Sequence, residues 1–195
     1  MIRTVLNVAM LTIAFNIPPG YAENDGNNSA HQHGSVTSET SITPHSDFFD
    51  SMSEVMKGVW VGQYTNGTFE NPTDWMPVRV EYRTISRGSA LVEDYFFGDE
   101  TEAGMTTVYH IDNLELRLTH YCGARNHPRM LATKIDHESR TANFDFTDIT
   151  NLATPHSYHS RDLDLKILSE DHIQIQYHGL QEGEVASQAY DLRRQ

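Results

Sequence analysis

A single cysteine, Cys122, occurs in the 195 residues, so no disulfide can form within the chain and the fold must stand on its hydrophobic core. Positive charge is scarce too: 14 Lys and Arg face 27 Asp and Glu, a formal charge of −13. A surface that acidic repels nucleic acid and anionic membrane, and neither is expected as a partner. Apolar runs long enough to span a membrane are missing downstream of the N-terminal stretch. No G-x-S-x-G elbow, Walker loop or Rossmann glycine pattern appears, and the carboxylates are scattered. No cofactor is expected.

What is present begins with "MIRTVLNVAMLTIAFNIPPGYA". Arg3 gives a short basic start, Val5 to Phe15 an apolar run, and Gly20 and Ala22 small residues at a cleavage site. Residues 1–22 are therefore read as a signal peptide, and the protein as exported to a periplasm or the exterior. Removing Arg3 with that segment leaves a charge of −14. Residues 23–46 are rich in Asn, Ser, Thr, Gly and His and offer little apolar surface to offset ordering entropy, so a disordered leader is expected. His31, His33 and His45 are assigned to that solvated tail.

Residues 47–195 are large enough for one domain with its own core. Phe48, Phe49, Met52, Val55 and Met56 recur at helical spacing, predicting one short N-terminal helix capped by Asp47 or Ser46. Everything after it alternates with period two, in about ten short segments separated by turn residues such as Asp112-Asn113 and Glu182-Gly183. With no further helices to cover open edges, the expected architecture is all-β: an up-and-down antiparallel β-barrel. Gly58-Val59-Trp60 resembles the G-x-W start of the calycins, the lipocalin and fatty-acid-binder group. That resemblance implies that a basic side chain from the terminal Arg193-Arg194 stacks on Trp60 to seal the barrel floor.

Alternation also assigns faces. Taking Asp112-Asn113 as a two-residue turn pairs Ile111 with Leu114, Tyr109 with Leu116, and Thr107 with Leu118. Met105, Thr107, Tyr109, Ile111, Leu114, Leu116, Leu118, His120 and Cys122 then point inward, with His110 and Tyr121 outward. Val78, Val80 and Tyr82 are expected inside, as are Phe144 and Phe146. His159 and Arg161 share a face with Leu163 and are expected at one end of the cavity. For the segment holding Glu93, both faces carry large apolar residues, and the pattern fixes neither.

One stretch, "THYCGARNHPRM", concentrates the chemistry. It resembles a family of secreted bacterial calycin-like barrel proteins of unknown function that carry T-H-Y-C followed by N-x-P-R-M; the matching residues are Thr119, His120, Tyr121, Cys122, Asn126, Pro128, Arg129 and Met130. The resemblance implies a barrel and a cavity more than an activity. The leading expectation is a lipocalin-like protein binding a small, largely apolar molecule, with polar contacts from Tyr109, His120, Cys122, Arg129 and His159. Arg129 would select an anionic group if it faced the cavity, and would pair with the acidic surface if it faced out. Three other readings compete: a barrel enzyme (hydrolase, isomerase or lyase) with His120 as acid/base, a haem-binding nitrobindin-like barrel with His120, His159 or His172 as axial ligand, and a module whose barrel is filled by side chains. The zinc-type spacings that mark a metal site are missing.

Overall fold

The computed structural model describes residues 43–195; the segments read as signal peptide and, up to Ile42, as leader lie outside the described residues. Pro44 cannot donate a backbone hydrogen bond and suits the first turn of a helix, so helix α1 (Pro44–Met56) starts there, earlier than Asp47. Thr43 is the cap: its hydroxyl accepts the Ser46 N–H at 3.1 Å while Ser46 Oγ accepts the Thr43 N–H at 2.8 Å. The end of the expected leader is thus ordered, and His45 is not in a solvated tail, because its Nδ1 accepts the Leu116 N–H at 3.0 Å. The apolar stripe of α1, Phe48, Phe49, Met52 and Met56, is buried against the barrel core, about 1.5–3 kcal/mol of burial for each side chain.

Ten antiparallel strands follow: β1 (Gly58–Asn66), β2 (Met76–Ile85), β3 (Ala90–Phe97), β4 (Met105–Asp112), β5 (Glu115–Tyr121), β6 (His127–Asp136), β7 (Thr141–Thr150), β8 (His159–Ser169), β9 (His172–Gln181) and β10 (Glu184–Arg194). Each pairs with its neighbour in sequence, and β1 pairs with β10 to close the barrel. An all-β, ten-stranded up-and-down barrel with one short helix is what period-two alternation demanded. Closure depends on Gly62, where a Cβ would lie 2.0 Å from the Asp191 carbonyl oxygen across the β1–β10 seam.

The two ends of the barrel differ. At one end, here the floor, the connections are tight turns and α1 packs beneath them. Trp60 Nε1 donates to the Met56 carbonyl at 2.7 Å, and the Arg194 guanidinium lies 4.6 Å over the indole ring. Arg194 also donates to the carbonyls of Lys57 (2.9 Å), Glu170 (3.0 Å) and Val55, tying helix, turn and last strand together. The expected floor seal is present, and Arg194 rather than Arg193 makes it. At the other end, the mouth, longer loops join the strands at 67–75, 98–104, 122–126 and 151–158.

The β4–β5 hairpin corrects the expected register. Its turn is Asn113-Leu114, both at positive φ (50° and 70°), and Ile111 pairs with Leu116, Tyr109 with Leu118 and Thr107 with His120. Moving the turn by one residue shifts the pairing by two, which leaves every side chain on its predicted face. Leu114 alone changes role, from inward position to exposed turn residue.

Candidate functional site

Strand alternation sends Tyr82, Glu93, Tyr95, Thr107, Tyr109, His120 and Tyr177 into the barrel, where all seven are buried. Glu93 sits at their centre. Tyr82 donates to its Oε1 at 2.6 Å and Tyr109 to its Oε2 at 3.0 Å, with the Tyr177 hydroxyl at 3.4 Å. The Tyr95 hydroxyl lies beside the same carboxyl without completing a hydrogen bond of normal geometry. From Tyr177 the chain of polar contacts continues to Thr107 Oγ1 at 2.9 Å and on to His120 Nδ1 at 2.9 Å. Burial raises the pKa of Glu93 above the usual carboxylate range, even against the hydroxyls that donate to it. Burial likewise lowers His120 to about 4, so the imidazole is neutral at physiological pH.

This core leaves no room for a ligand. Trp60, Tyr95, Tyr109, Leu116, Phe144, Leu163, Ile175 and Tyr190 have no surface open even to a water-sized sphere, so no void of that size borders them. The barrel centre is filled by its own side chains, and the expected cavity is not central. His120 is 1 % exposed and lies within this packed core. Haem fits no better: His120 is wedged between Thr107 and Tyr177, and His159 Nδ1 lies 2.9 Å from the Ser157 carbonyl. His172 pairs with Asp191 from the outward set of β9.

Open space lies at the mouth. A concavity of about 450 Å³ is walled by Tyr64, Phe97, Met105 and Tyr158, with Cys122, Glu100 and Gln188 among its polar groups. Tyr64 and Phe97 meet edge to face, their ring centroids 5.0 Å apart, and Tyr64 stacks on buried Tyr190 at 5.7 Å. Tyr190 donates to Gln188 Oε1 at 3.1 Å, and Gln188 Nε2 to Asn66 Oδ1 at 3.0 Å, which fixes the amide in the wall. Its volume falls in the range of small-molecule sites, and its lining mixes aromatic and polar groups.

Cys122 reaches the mouth because β5 ends at Tyr121 and the chain turns there: Cys122 N–H donates to the Asn126 carbonyl at 3.1 Å and Arg125 N–H to the Cys122 carbonyl at 2.8 Å. Asn126, buried, donates from Nδ2 to the Tyr158 carbonyl at 2.7 Å, pinning the loop after β7 to the loop after β5. Burial pushes the thiol pKa up, so Cys122 is a neutral wall group.

The residues singled out from sequence therefore separate. Tyr109 and His120 point inward as expected, but into the filled core rather than a cavity. Cys122 lines the mouth. Arg129 faces out: it is half exposed and pairs with Asp148 on the neighbouring strand, with Arg129 Nε 2.6 Å from Asp148 Oδ1. His159 is displaced by a bulge between Ser160 and Asp162, which sets Ser160, not Arg161, opposite Gly179. Arg161 is exposed over the Phe146 ring, and His159 packs beside the same ring. Sequence reasoning missed Tyr64, Phe97, Tyr158 and Gln188 as mouth residues. Phe97 ends its strand and Tyr158 lies in a loop, while Tyr64 and Gln188 lie within β1 and β10, and only closure of the barrel brings the four together.

No protein-family model matches this chain, and no curated protein matches it either. Among solved structures, a protein of unknown function of the DUF3598 family from Nostoc punctiforme is similar at a TM-score of 0.49 and 14 % identity, over 73 % of this chain. The match spans 48 % of that protein's length. Rv2717c from M. tuberculosis is similar at a TM-score of 0.48 and 13 % identity, over 76 % of this chain and 97 % of its own.

Proposed function

We propose that this protein is an exported binder of a small, largely apolar molecule, which it holds at the mouth of the barrel and not in its centre. One observation carries the reading: the aromatic-walled mouth of about 450 Å³ opens above a barrel that is otherwise filled. Loops positioned by a rigid scaffold are where binding residues concentrate. Here the scaffold is fixed from below by α1 and the Trp60–Arg194 seal. Filling the core with tyrosines and Glu93 makes the barrel a support for the mouth, in the way that a packed core supports surface loops in other folds.

Native mass spectrometry of protein purified from its host tests the reading. The expected result is an added small-molecule mass on the wild type that is missing from Ala124→Trp, a substitution of an exposed loop residue that fills the mouth. Circular dichroism should show the same β-content for both. An added mass retained by Ala124→Trp, or none on either protein, would refute it. N-terminal sequencing of the same preparation should begin at Glu23.

A further inference from the structure

We infer that the ligand of the mouth is an organic cation: a quaternary or protonated amine carried on an apolar body. The inference rests on the reading of the mouth as the binding site and adds the sign of the ligand's charge.

The wall itself carries the argument. Tyr64, Phe97 and Tyr158 supply aromatic rings, and the planes of the Tyr64 and Phe97 rings meet at 67°, so the two form a corner rather than a flat slab. Aromatic faces attract cations, and rings set at an angle can engage one alkylammonium group from more than one side. Among the described residues, Glu100 is the only charged side chain in the lining. Cys122 and Tyr158 are both pushed by burial towards their neutral forms, so neither adds a competing charge.

Carboxylate and ring are held together by a glycine. A Cβ on Gly104 would lie 3.0 Å from Phe97 Cδ2 and 3.1 Å from Glu100 Oε2, so the bare backbone of Gly104 is what lets both approach. The Glu100 N–H donates to the Phe97 carbonyl at 3.1 Å, which closes the turn that places them side by side. An ammonium group beside Phe97 would therefore have a counter-charge within reach.

The rim reinforces the wall. Across the connections at the mouth end, Glu70, Asp74, Asp99, Glu100, Glu102 and Glu182 stand against the single arginine Arg125. A concave site ringed by one sign of charge raises the local concentration of ligands of the other sign. An anion would meet the Glu100 carboxylate in the wall, and Arg129, considered as an anion selector, is paired with Asp148 outside the barrel.

Choline and 3,3-dimethylbutan-1-ol test the charge directly, because they differ only by nitrogen and its charge against carbon. Both are titrated into ¹⁵N-labelled protein, following the amides of Gly104, Gly123 and Ala124. Choline should shift these amides and bind at least about tenfold more tightly than the alcohol, the order expected for cation–π contacts with an added counter-charge. Glu100→Gln, an exposed loop variant, should weaken choline several-fold and leave the alcohol unchanged. If the alcohol binds the mouth as well as choline does, or Glu100→Gln changes nothing, the cation inference fails while the mouth remains a binding site. Shifts confined to other surfaces, or none with either probe, also overturn it; the mouth reading then stands or falls on the Ala124→Trp comparison.

Discussion

Tyr82 Oη and Glu93 Oε1 approach to 2.6 Å inside the barrel, joining β2 and β3 by a hydrogen bond to a carboxyl that no solvent reaches. Burial disfavours the charged form of a carboxyl sealed in this way and raises its pKa above the usual value. Its folded-state pKa is raised, so the stability it contributes is fully present below the unfolded value, near 4.5, and is lost as pH rises through the folded value.

Glu93→Gln keeps the shape and removes the titration. The stability difference between wild type and Glu93→Gln should therefore move against the wild type as pH rises from about 4 to 8, measured by urea unfolding at each pH. Glu93→Leu should cost about 3 kcal/mol at acidic pH and less as pH rises, because it strands the Tyr82 and Tyr109 hydroxyls without an acceptor but also removes the titrating carboxyl.

Two histidines should titrate in opposite senses. His178, whose Nε2 lies 3.2 Å from Asp164 Oδ2, is raised above the usual imidazole value chiefly by that hydrogen bond. Its contribution is present below the unfolded pKa, about 6.5, and fades above it. His120 is lowered to about 4, so it stays neutral above that pH and disfavours the fold only in acid. In an NMR titration the His178 midpoint should fall in Asp164→Asn, while the His120 ring signals stay flat from pH 5 to 8.

Arg194 is expected to be the most sensitive charged residue at the floor. Arg194→Ala should destabilise by about 2–3 kcal/mol, since it loses the stack on Trp60 and leaves the Lys57, Glu170 and Val55 carbonyls without their donor. Arg194→Lys should recover less than half of that loss, because an ammonium cannot reproduce the planar fork. Chemical denaturation of the three proteins gives the comparison.

Leu114 marks a site where the protein can be improved. It holds φ at 70° in a two-residue hairpin turn and is exposed, a conformation that glycine adopts without strain. Leu114→Gly should raise stability by about 1 kcal/mol, visible as a higher denaturation midpoint with an unchanged slope.

Much of the fold was legible because alternation is a local property. Val78, Val80, Tyr82, Thr107, Tyr109 and His120 are buried as their period-two positions required, and a two-residue shift in the β4–β5 register could not disturb that. Glu93 was not legible, since its strand is apolar on both faces and only the partners across the barrel decide which side is interior. His159 was misplaced by a single bulge, which resets the alternation and has no mark in the sequence. The mouth was hidden for a different reason: Tyr64, Phe97, Tyr158 and Cys122 come from four separate places in the chain, and only barrel closure makes them neighbours.

The order of the strands around the barrel also bears on how the chain reaches its native state. Nine of the ten pairings join strands adjacent in sequence, so each can zip from its own turn with little loop-closure entropy. The tenth, β1 with β10, brings Trp60 opposite Arg194 only after everything between them is in place. Folding should therefore run quickly to an open curl of hairpins and slowly to closure. Until Gly62 meets Asp191, both outer edges of that curl are unpaired and exposed to other copies of the chain.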